Sequence, residues 1–305
     1  MTATGWTAGE VLDLGCRLAA LAHAHTALQI LLTRRDFAPG GALDPRLTGR
    51  RVGNPLDRAF RRLVGLRRAR ATVVPVALAR FAGALVVLVF PRAWPVLLLL
   101  WLTELAAQPL VRPGLDAGDE MLRVVTIVFT LRALTSSDAV QVAAAGFLTF
   151  QLCLAYAVAG LSKGQSAMWW SGVGLRGVLA TEYFGIGRIA RRLARSPGLA
   201  RTLGWATIVG ESLFFVAILA GPVATVIALA GAVAFHTMCA VVMGLDGFVL
   251  PFAATFPSAY WISAALADEV PGILRLLIGA VLVCAVTGWL AHWHATESVR
   301  TRSRS

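Results

Sequence analysis

The chain has 305 residues, of which 57% are hydrophobic and 14% charged, and its mean hydropathy is +0.72. Soluble domains are nearer one-half apolar and one-quarter charged, so this composition excludes an ordinary soluble enzyme. Because one membrane-spanning helix needs ~20 apolar residues, the apolar stretches predict an all-α integral membrane bundle of about seven to nine spans. We expect one membrane domain over residues 1–305, in a multi-pass protein of the cell membrane.

The net charge of +12 is concentrated in two segments. Residues 33–70 hold eleven Arg and three Asp, and residues 183–202 hold five Arg and no acidic residue. Basic segments beside apolar spans are typical of topology signals and of contacts with lipid headgroups. Since no nucleic-acid recognition fold has room in such a chain, membrane lipids are expected partners and nucleic acid is not.

Apolar stretches alternate with polar breaks along the chain. The predicted spans are residues 11–32, 71–90, 96–110, 121–134, 139–161, 203–220, 223–243 and 273–293. The shorter apolar stretch 248–260 is expected to belong to a broken span. The basic segment 33–70 is predicted to be a loop, and residues 296–305 a polar tail.

Two segments between the fifth and sixth predicted spans are expected to lie at the membrane interface. Residues 164–179 are too polar to cross the membrane and too apolar to be free in water, so they are expected to lie at the interface or to re-enter the membrane. Their Trp169 and Trp170 are typical of interfacial depth. Residues 183–202 predict an in-plane amphipathic helix, because apolar residues and arginines each recur there with helical spacing, on opposite faces.

The basic residues include a single lysine. Of the 28 basic residues, 27 are arginine and one is Lys163, at the end of the fifth predicted span. Lysine, unlike arginine, can give up its proton in a protein, and low dielectric favours the neutral amine. Lys163 is therefore a candidate general base. The alternative is a structural lysine whose stem lies in the apolar phase and whose ammonium reaches the headgroups.

Inside the predicted spans lie further candidates for a site, namely Glu104, Glu211 and His236. A charge at that depth usually faces the bundle interior and has a partner. The candidate partners are Arg80, Arg123 and Arg132. The two acids fit either structural ion pairs or a polar cavity for a headgroup or quinone ring, and His236 fits either a hydrogen-bonded core residue or a group that orients a substrate oxygen.

The four cysteines stand alone in apolar stretches, without a CxxC pair or metal-ligand spacing. No P-loop or HExxH motif occurs either, and the one GxSxG string, residues 160–164, lies at the end of the fifth predicted span. No metal is therefore expected, and the chemistries of those motifs are set aside.

Four segments occur in a fixed order. They are LDAGDEMLRVVTIVFTL, FQLCLAYAVAGLSKGQSAMWWSGVGLRGVL, LGWATIVGESLFF and FHTMCAVVMGLDGF. Their order and spacing, over about residues 10–295, resemble the HTTM domain, the membrane part of vitamin K-dependent gamma-carboxylase and its bacterial relatives. The second segment, with Gly-Leu-Ser-Lys and Trp-Trp, is the most specific.

The resemblance implies carboxylase-like quinol chemistry. In the carboxylase, a lysine of the matching segment deprotonates vitamin K hydroquinone, oxygen adds, and a strongly basic vitamin K alkoxide removes a γ-proton from a glutamyl side chain that takes up carbon dioxide. Lys163 falls at that lysine's position, so the resemblance implies Lys163 as the base and a reduced, vitamin K-type quinone as the cofactor. We expect the substrate pocket to include Asp119, Trp169, Trp170, Glu211 and His236.

Two departures from the carboxylase keep a second function open. The first segment reads LDAGDEML where the carboxylase has an Asn- and His-containing stretch, so Asp119 is only a substitute candidate. The sequence shows no counterpart of the large lumenal domain that holds the protein substrate. The alternative is a non-catalytic membrane accessory that assembles with, or matures, a separately encoded peptide or soluble partner. A transporter is less favoured, since the sequence shows no repeated halves.

Membrane orientation is predicted differently by two arguments. The positive-inside rule places both basic segments, and Lys163 with them, on the cytoplasmic side. The family arrangement places Lys163 outside, and we favour that arrangement because arginine-rich in-plane helices also bind outer headgroups.

Overall fold

A computed structural model describes residues 5–37, 41, 69–111, 117–181 and 187–302. These residues form helices joined by turns, and no strand occurs among them. Most of the predicted basic loop 33–70 lies outside the described residues, as do Ile186 and the last residues of the predicted polar tail.

The helix bounds follow the apolar stretches closely. In the first half of the chain the helices are α1 (Ala8–Leu32), α2 (Ala69–Val89), α3 (Trp94–Val111), α4 (Ala117–Arg132) and α5 (Asp138–Gly164). In the second half they are α6 (Ala167–Trp170), α7 (Val173–Ala180), α8 (Gly187–Ala194), α9 (Pro197–Ser212), α10 (Phe214–Ala220), α11 (Pro222–Met243), α12 (Val249–Ala253), α13 (Phe256–Glu269) and α14 (Gly272–Arg302). A short 3₁₀ turn, Asp246–Phe248, precedes α12, and α14 continues into the segment predicted as a tail.

Four helical stretches among the described residues are long and apolar enough to cross a membrane. They are Asp138–Gly164, Pro222–Met243, Asp246–Glu269 and Gly272–Trp293. The pair α9 and α10 passes the same test but is bent by 51°, and counts as a fifth span if taken as one. The described part of the chain is therefore all-helical, with four or five helices of membrane-crossing length, and the larger number of seven to nine spans stays a prediction.

The other predicted spans form helices that are more polar or shorter. α1 has 25 residues but carries Glu10, Asp13 and Arg17. α4 has 16 residues, which is ~24 Å of helix, against ~30 Å of bilayer hydrocarbon. The described apolar parts of α2 and α3 are Val73–Val89 and Trp94–Ala106, both shorter than a full span.

The internal contacts of the chain divide it into two compact units. Residues 8–144 and 247–257 form one, called here the N-terminal unit, and residues 1–7, 145–246 and 258–305 form the other, the C-terminal unit. The N-terminal unit packs α1, α2, α3 and α4 in sequence, with α12 against α1 and α4.

A buried polar network crosses the N-terminal unit. Arg80 Nε donates to His23 Nδ1 at 3.0 Å, and His23 Nε2 lies 2.8 Å from Thr126 Oγ1. Because arginine only donates, His23 Nδ1 is an acceptor, so its hydrogen is on Nε2 and the imidazole is neutral. Arg80 Nη2 also lies 3.8 Å from Glu104 Oε2, and both side chains are almost fully buried. Of the three arginines predicted as candidate partners of the two acids, Arg80 is thus the one that pairs with Glu104.

The other two candidate arginine partners pair with different acids. Arg132 Nη1 contacts Asp13 Oδ1 at 2.6 Å, and Arg92 Nε reaches the same oxygen at 3.2 Å. Arg123 Nη2 lies 3.0 Å from Glu120 Oε1, one turn earlier on α4. These pairs join helices or helix turns within the N-terminal unit. Arg132 is the fully buried member, and a charge at that depth needs a partner.

In the C-terminal unit, α8 uses its apolar face to pack on the protein. Ala190 is fully buried with Leu179 of α7 and Val242 of α11, and Leu193 packs against them. Arg176 Nε donates to the carbonyl of Ala194 at 2.7 Å and so caps the end of α8. The arginines of the opposite face are exposed, namely Arg188, Arg191, Arg192 and Arg195. The helix is amphipathic as predicted, and its placement in the membrane plane stays a prediction.

The sixth predicted span, 203–220, is interrupted where it meets α5. α9 ends at Ser212, α10 begins at Phe214, and the two axes differ by 51°. A side chain added at Gly160 of α5 would overlap the backbone of Ser212 and come within 2.9 Å of Glu211 Cβ. Glycine at 160 thus permits the close approach that sets the end of α9 against the last turns of α5.

Candidate functional site

The centre of the candidate site is an ion pair between Lys163 and Glu211. Lys163 Nζ lies 2.6 Å from Glu211 Oε2, with 22% and 9% of the respective side chains exposed. The same ammonium donates to the carbonyl of Ala159, one turn earlier on α5, at 3.3 Å. Since Lys163 is in the last turn of α5, the negative end of the helix dipole also favours its charge.

Aromatic side chains enclose the lysine end of this pair. Lys163 Nζ lies 5.6 Å from the ring centroid of Trp169, within the range of a cation–π interaction. Trp170 Nε1 donates to the carbonyl of Gly164 at 2.7 Å, and Trp205 Nε1 donates to the carbonyl of Trp170, also at 2.7 Å. These two bonds attach α6 to the end of α5 and α9 to α6, so the tryptophans fix the surroundings of Lys163.

A second polar pair lies two turns earlier on α5. The hydroxyl of Tyr156 and Nε2 of His236 on α11 share a hydrogen bond of 2.7 Å, and both residues are buried. The ring of Tyr156 stacks on Phe214 with centroids 4.4 Å apart. A phenol and an imidazole that share one hydrogen bond can bind a substrate oxygen or pass a proton.

A cavity of about 500 Å³ opens beside both pairs. That volume is within the range of ~300–1,000 Å³ found for small-molecule sites. Its polar lining comes from Tyr156, Thr207 and Glu211. The remaining wall is apolar and includes small residues that leave the space, namely Ala206, Gly210, Ala217, Ala228, Gly231 and Ala232.

The two sides of the cavity differ in exposure. Glu211 and Tyr156 are 7% and 5% exposed, whereas the lining residues Leu203 and Val209 are 38% and 49% exposed. The inner wall therefore carries the polar groups, and the outer rim is apolar. If α9 and α10 cross the membrane as one span, such a rim admits an apolar molecule from the lipid and leads its polar end to Glu211.

The structure brings most of the predicted site residues together. Lys163 contacts both Glu211 and Trp169. His236 shares a hydrogen bond with the lining residue Tyr156, and Trp170 donates one to Gly164, the residue after Lys163. Asp119 lies in the first turn of α4, in the N-terminal unit, whereas the other five belong to the C-terminal unit.

Tyr156 belongs to the site but is not among the residues predicted from the sequence, although the sequence carries a signal for it. Tyr156, Gly160 and Lys163 follow one another at intervals of four and three residues along α5 and so share one helix face. Tyrosine, glycine and lysine on one face of a largely apolar helix indicate a polar, closely packed contact. Reading that face from Lys163 backwards would have identified Tyr156 as part of the site.

The arrangement is suited to proton transfer on a molecule with an apolar body. It combines a carboxylate and a phenol at the wall of a mainly apolar cavity with an ammonium paired to the first and an imidazole paired to the second. Among the described residues, no group of three or more His, Cys, Asp or Glu side chains is placed to hold a metal ion.

Comparisons of the chain with protein-family models, with curated proteins and with solved structures find no match.

Proposed function

We propose that this protein is an enzyme of the cell membrane that removes a proton from a lipophilic, quinol-type substrate. The Lys163–Glu211 pair is its acid–base unit, and the cavity beside α9, α10 and α11 is its substrate site. The single observation that carries this proposal is a charged pair with a 2.6 Å contact whose carboxylate lies at the inner wall of a mainly apolar cavity. Charged pairs inside membrane bundles mark substrate pathways and proton relays.

The shape and lining of the cavity fit the ring of a quinol. A quinol has an apolar ring and side chain and a weakly acidic hydroxyl, which match the apolar rim and the carboxylate of Glu211. Tyr156 offers a second hydrogen-bonding group on the same wall. The resemblance of the α5–α6 sequence to the HTTM domain supports the same substrate class, as does the position of Lys163 within it.

The experiment is oxidation of a reduced, vitamin K-type naphthoquinone by the purified protein in lipid nanodiscs, in the presence of air. We expect oxidation above the rate of empty nanodiscs, and a loss of about 10²–10⁴-fold in Glu211→Gln, the range expected for removal of an acid–base group.

A matched pair of variants on α11 tests the cavity. Ala232→Leu places bulk at a buried lining residue, whereas Ala230→Leu places it on the exposed side of the same helix. We expect the first to weaken quinol oxidation and the second to leave it unchanged. If the wild type oxidises no quinol while its helical content is intact, the function is not this one, and the non-catalytic accessory that assembles with a peptide or soluble partner becomes the working hypothesis.

A further inference from the structure

We infer that Glu211, rather than Lys163, is the group that takes the proton from the substrate, and that Lys163 is a positioning residue behind it. This inference rests on the proposed function, because it concerns the same cavity. It departs from the expectation that the lysine itself is the base.

The first argument is which of the two side chains meets the cavity. Glu211 is a lining residue, and Lys163 is not. The ammonium of Lys163 is instead held by Glu211 Oε2, by the carbonyl of Ala159 and by the ring of Trp169. Of these partners, only Glu211 lines the cavity, so a substrate there reaches the carboxylate before it reaches the amine.

The second argument is that the two carboxylate oxygens of Glu211 differ in their hydrogen bonds. Oε2 of Glu211 accepts the hydrogen bond of Lys163 at 2.6 Å. Among the described residues, no group donates a hydrogen bond to Oε1. A carboxylate has about four lone-pair sites, so Oε1 keeps its full capacity to accept a proton from a hydroxyl in the cavity.

The third argument is charge balance in a low-dielectric site. The substrate hydroxyl gives its proton to Glu211 Oε1, which leaves a substrate oxyanion and a neutral carboxylic acid, and no electron moves. Lys163 keeps its proton throughout, so the negative charge moves from the carboxylate to the substrate while the cation stays beside it. Since an uncompensated charge is costly in such a site, the fixed ammonium lowers the cost of forming the oxyanion.

The activity test uses two substitutions of Lys163 beside Glu211→Gln. In Lys163→Arg, the arginine keeps the positive charge but cannot act as a base. In Lys163→Met, the methionine has neither the charge nor a basic group. We expect Lys163→Arg to keep quinol oxidation within about tenfold of the wild type, and Glu211→Gln to lose at least about 10²-fold. If Lys163→Arg is as inactive as Glu211→Gln, the inference is wrong and the lysine is the base.

A second measurement needs no substrate. Dicyclohexylcarbodiimide is an apolar reagent that forms a stable adduct with protonated carboxyl groups, and the adduct is located by peptide mass spectrometry. In nanodiscs we expect the reagent to label Glu211. Labelling should be faster in Lys163→Met than in the wild type, because the lysine no longer keeps the carboxylate in its charged form. Ala232→Leu should slow the labelling, and Ala230→Leu should not.

The two measurements separate failure of the inference from failure of the proposed function. If Glu211 is unlabelled in both the wild type and Lys163→Met, or if Ala232→Leu leaves its labelling unchanged, the carboxyl does not face the cavity and the inference is overturned. If Glu211 is labelled as expected but no quinol is oxidised, the assignment of the cavity-facing carboxyl is supported and the quinol function fails.

Discussion

Removal of the Lys163 ammonium while Glu211 stays in place is expected to destabilise the protein strongly. The two groups are 2.6 Å apart, and the glutamate side chain is 9% exposed. At that separation, Coulomb's law with an effective dielectric of about 20 gives an attraction of about 6 kcal/mol before the cost of desolvation. Leaving one partner of a buried pair uncompensated costs about 3–5 kcal/mol, and this is the loss we expect for Lys163→Met.

The assay is a double-mutant cycle in which the free energy of unfolding is measured in mixed micelles. The four proteins are the wild type, Lys163→Met, Glu211→Gln and the double variant, which has neither charge. We expect the double variant to be more stable than the sum of the single losses predicts, with a coupling of about 0.5–3 kcal/mol. A matched control is Arg123→Met, which breaks the more exposed pair with Glu120 and should cost no more than about 1 kcal/mol.

The result that would refute this reasoning is additivity. If Lys163→Met unfolds with the wild-type free energy, or if the double variant loses the full sum of the two single losses, the contact between the two side chains contributes no stability. The site would then be two independent groups rather than one acid–base unit.

Three other substitutions test the surrounding structure by the same unfolding assay. Gly160→Ala should lose about 1–3 kcal/mol, because its methyl group overlaps the backbone of α9, and a gain of stability would contradict the close approach. Tyr156→Phe keeps the ring stack but leaves the imidazole of His236 without its hydroxyl partner, and should cost about 1–3 kcal/mol. Arg80→Met should cost about 3–5 kcal/mol, because Glu104 is 1% exposed and loses its cation, and an unchanged stability would show that the two side chains do not interact.

The positions of the helices could be predicted from the sequence, because the ends of the apolar stretches coincide with residues that favour helix ends. The stretch predicted as 223–243 forms Pro222–Met243, with proline in its first turn and Gly244 in the left-handed conformation at its end. The bend at Ser212 could not be predicted in this way. It contains neither proline nor glycine, and it coincides with the contact to Gly160, which is 52 positions earlier in the chain.

The sequence predicts which residues belong to the candidate site better than it predicts which of them pair with each other. Composition singled out Lys163, and depth in an apolar stretch singled out Glu211. Their pairing is not predictable in this way, because 48 positions separate them and the chain offers 27 arginines as partners for a buried acid. Which helix faces meet is decided by packing along the whole length of α5 and α9, and a short motif does not contain that information.

The Lys163→Met/Glu211→Gln double variant separates stability from catalysis. With both charges removed, no buried charge is left uncompensated, so much of the stability lost in Lys163→Met should return. Quinol oxidation should not return, because the proton acceptor and the cation that balances the oxyanion are both absent. A double variant that folds well and is inactive would show that the pair is retained for chemistry. A double variant that oxidises quinol at the wild-type rate would show that the pair serves only the fold.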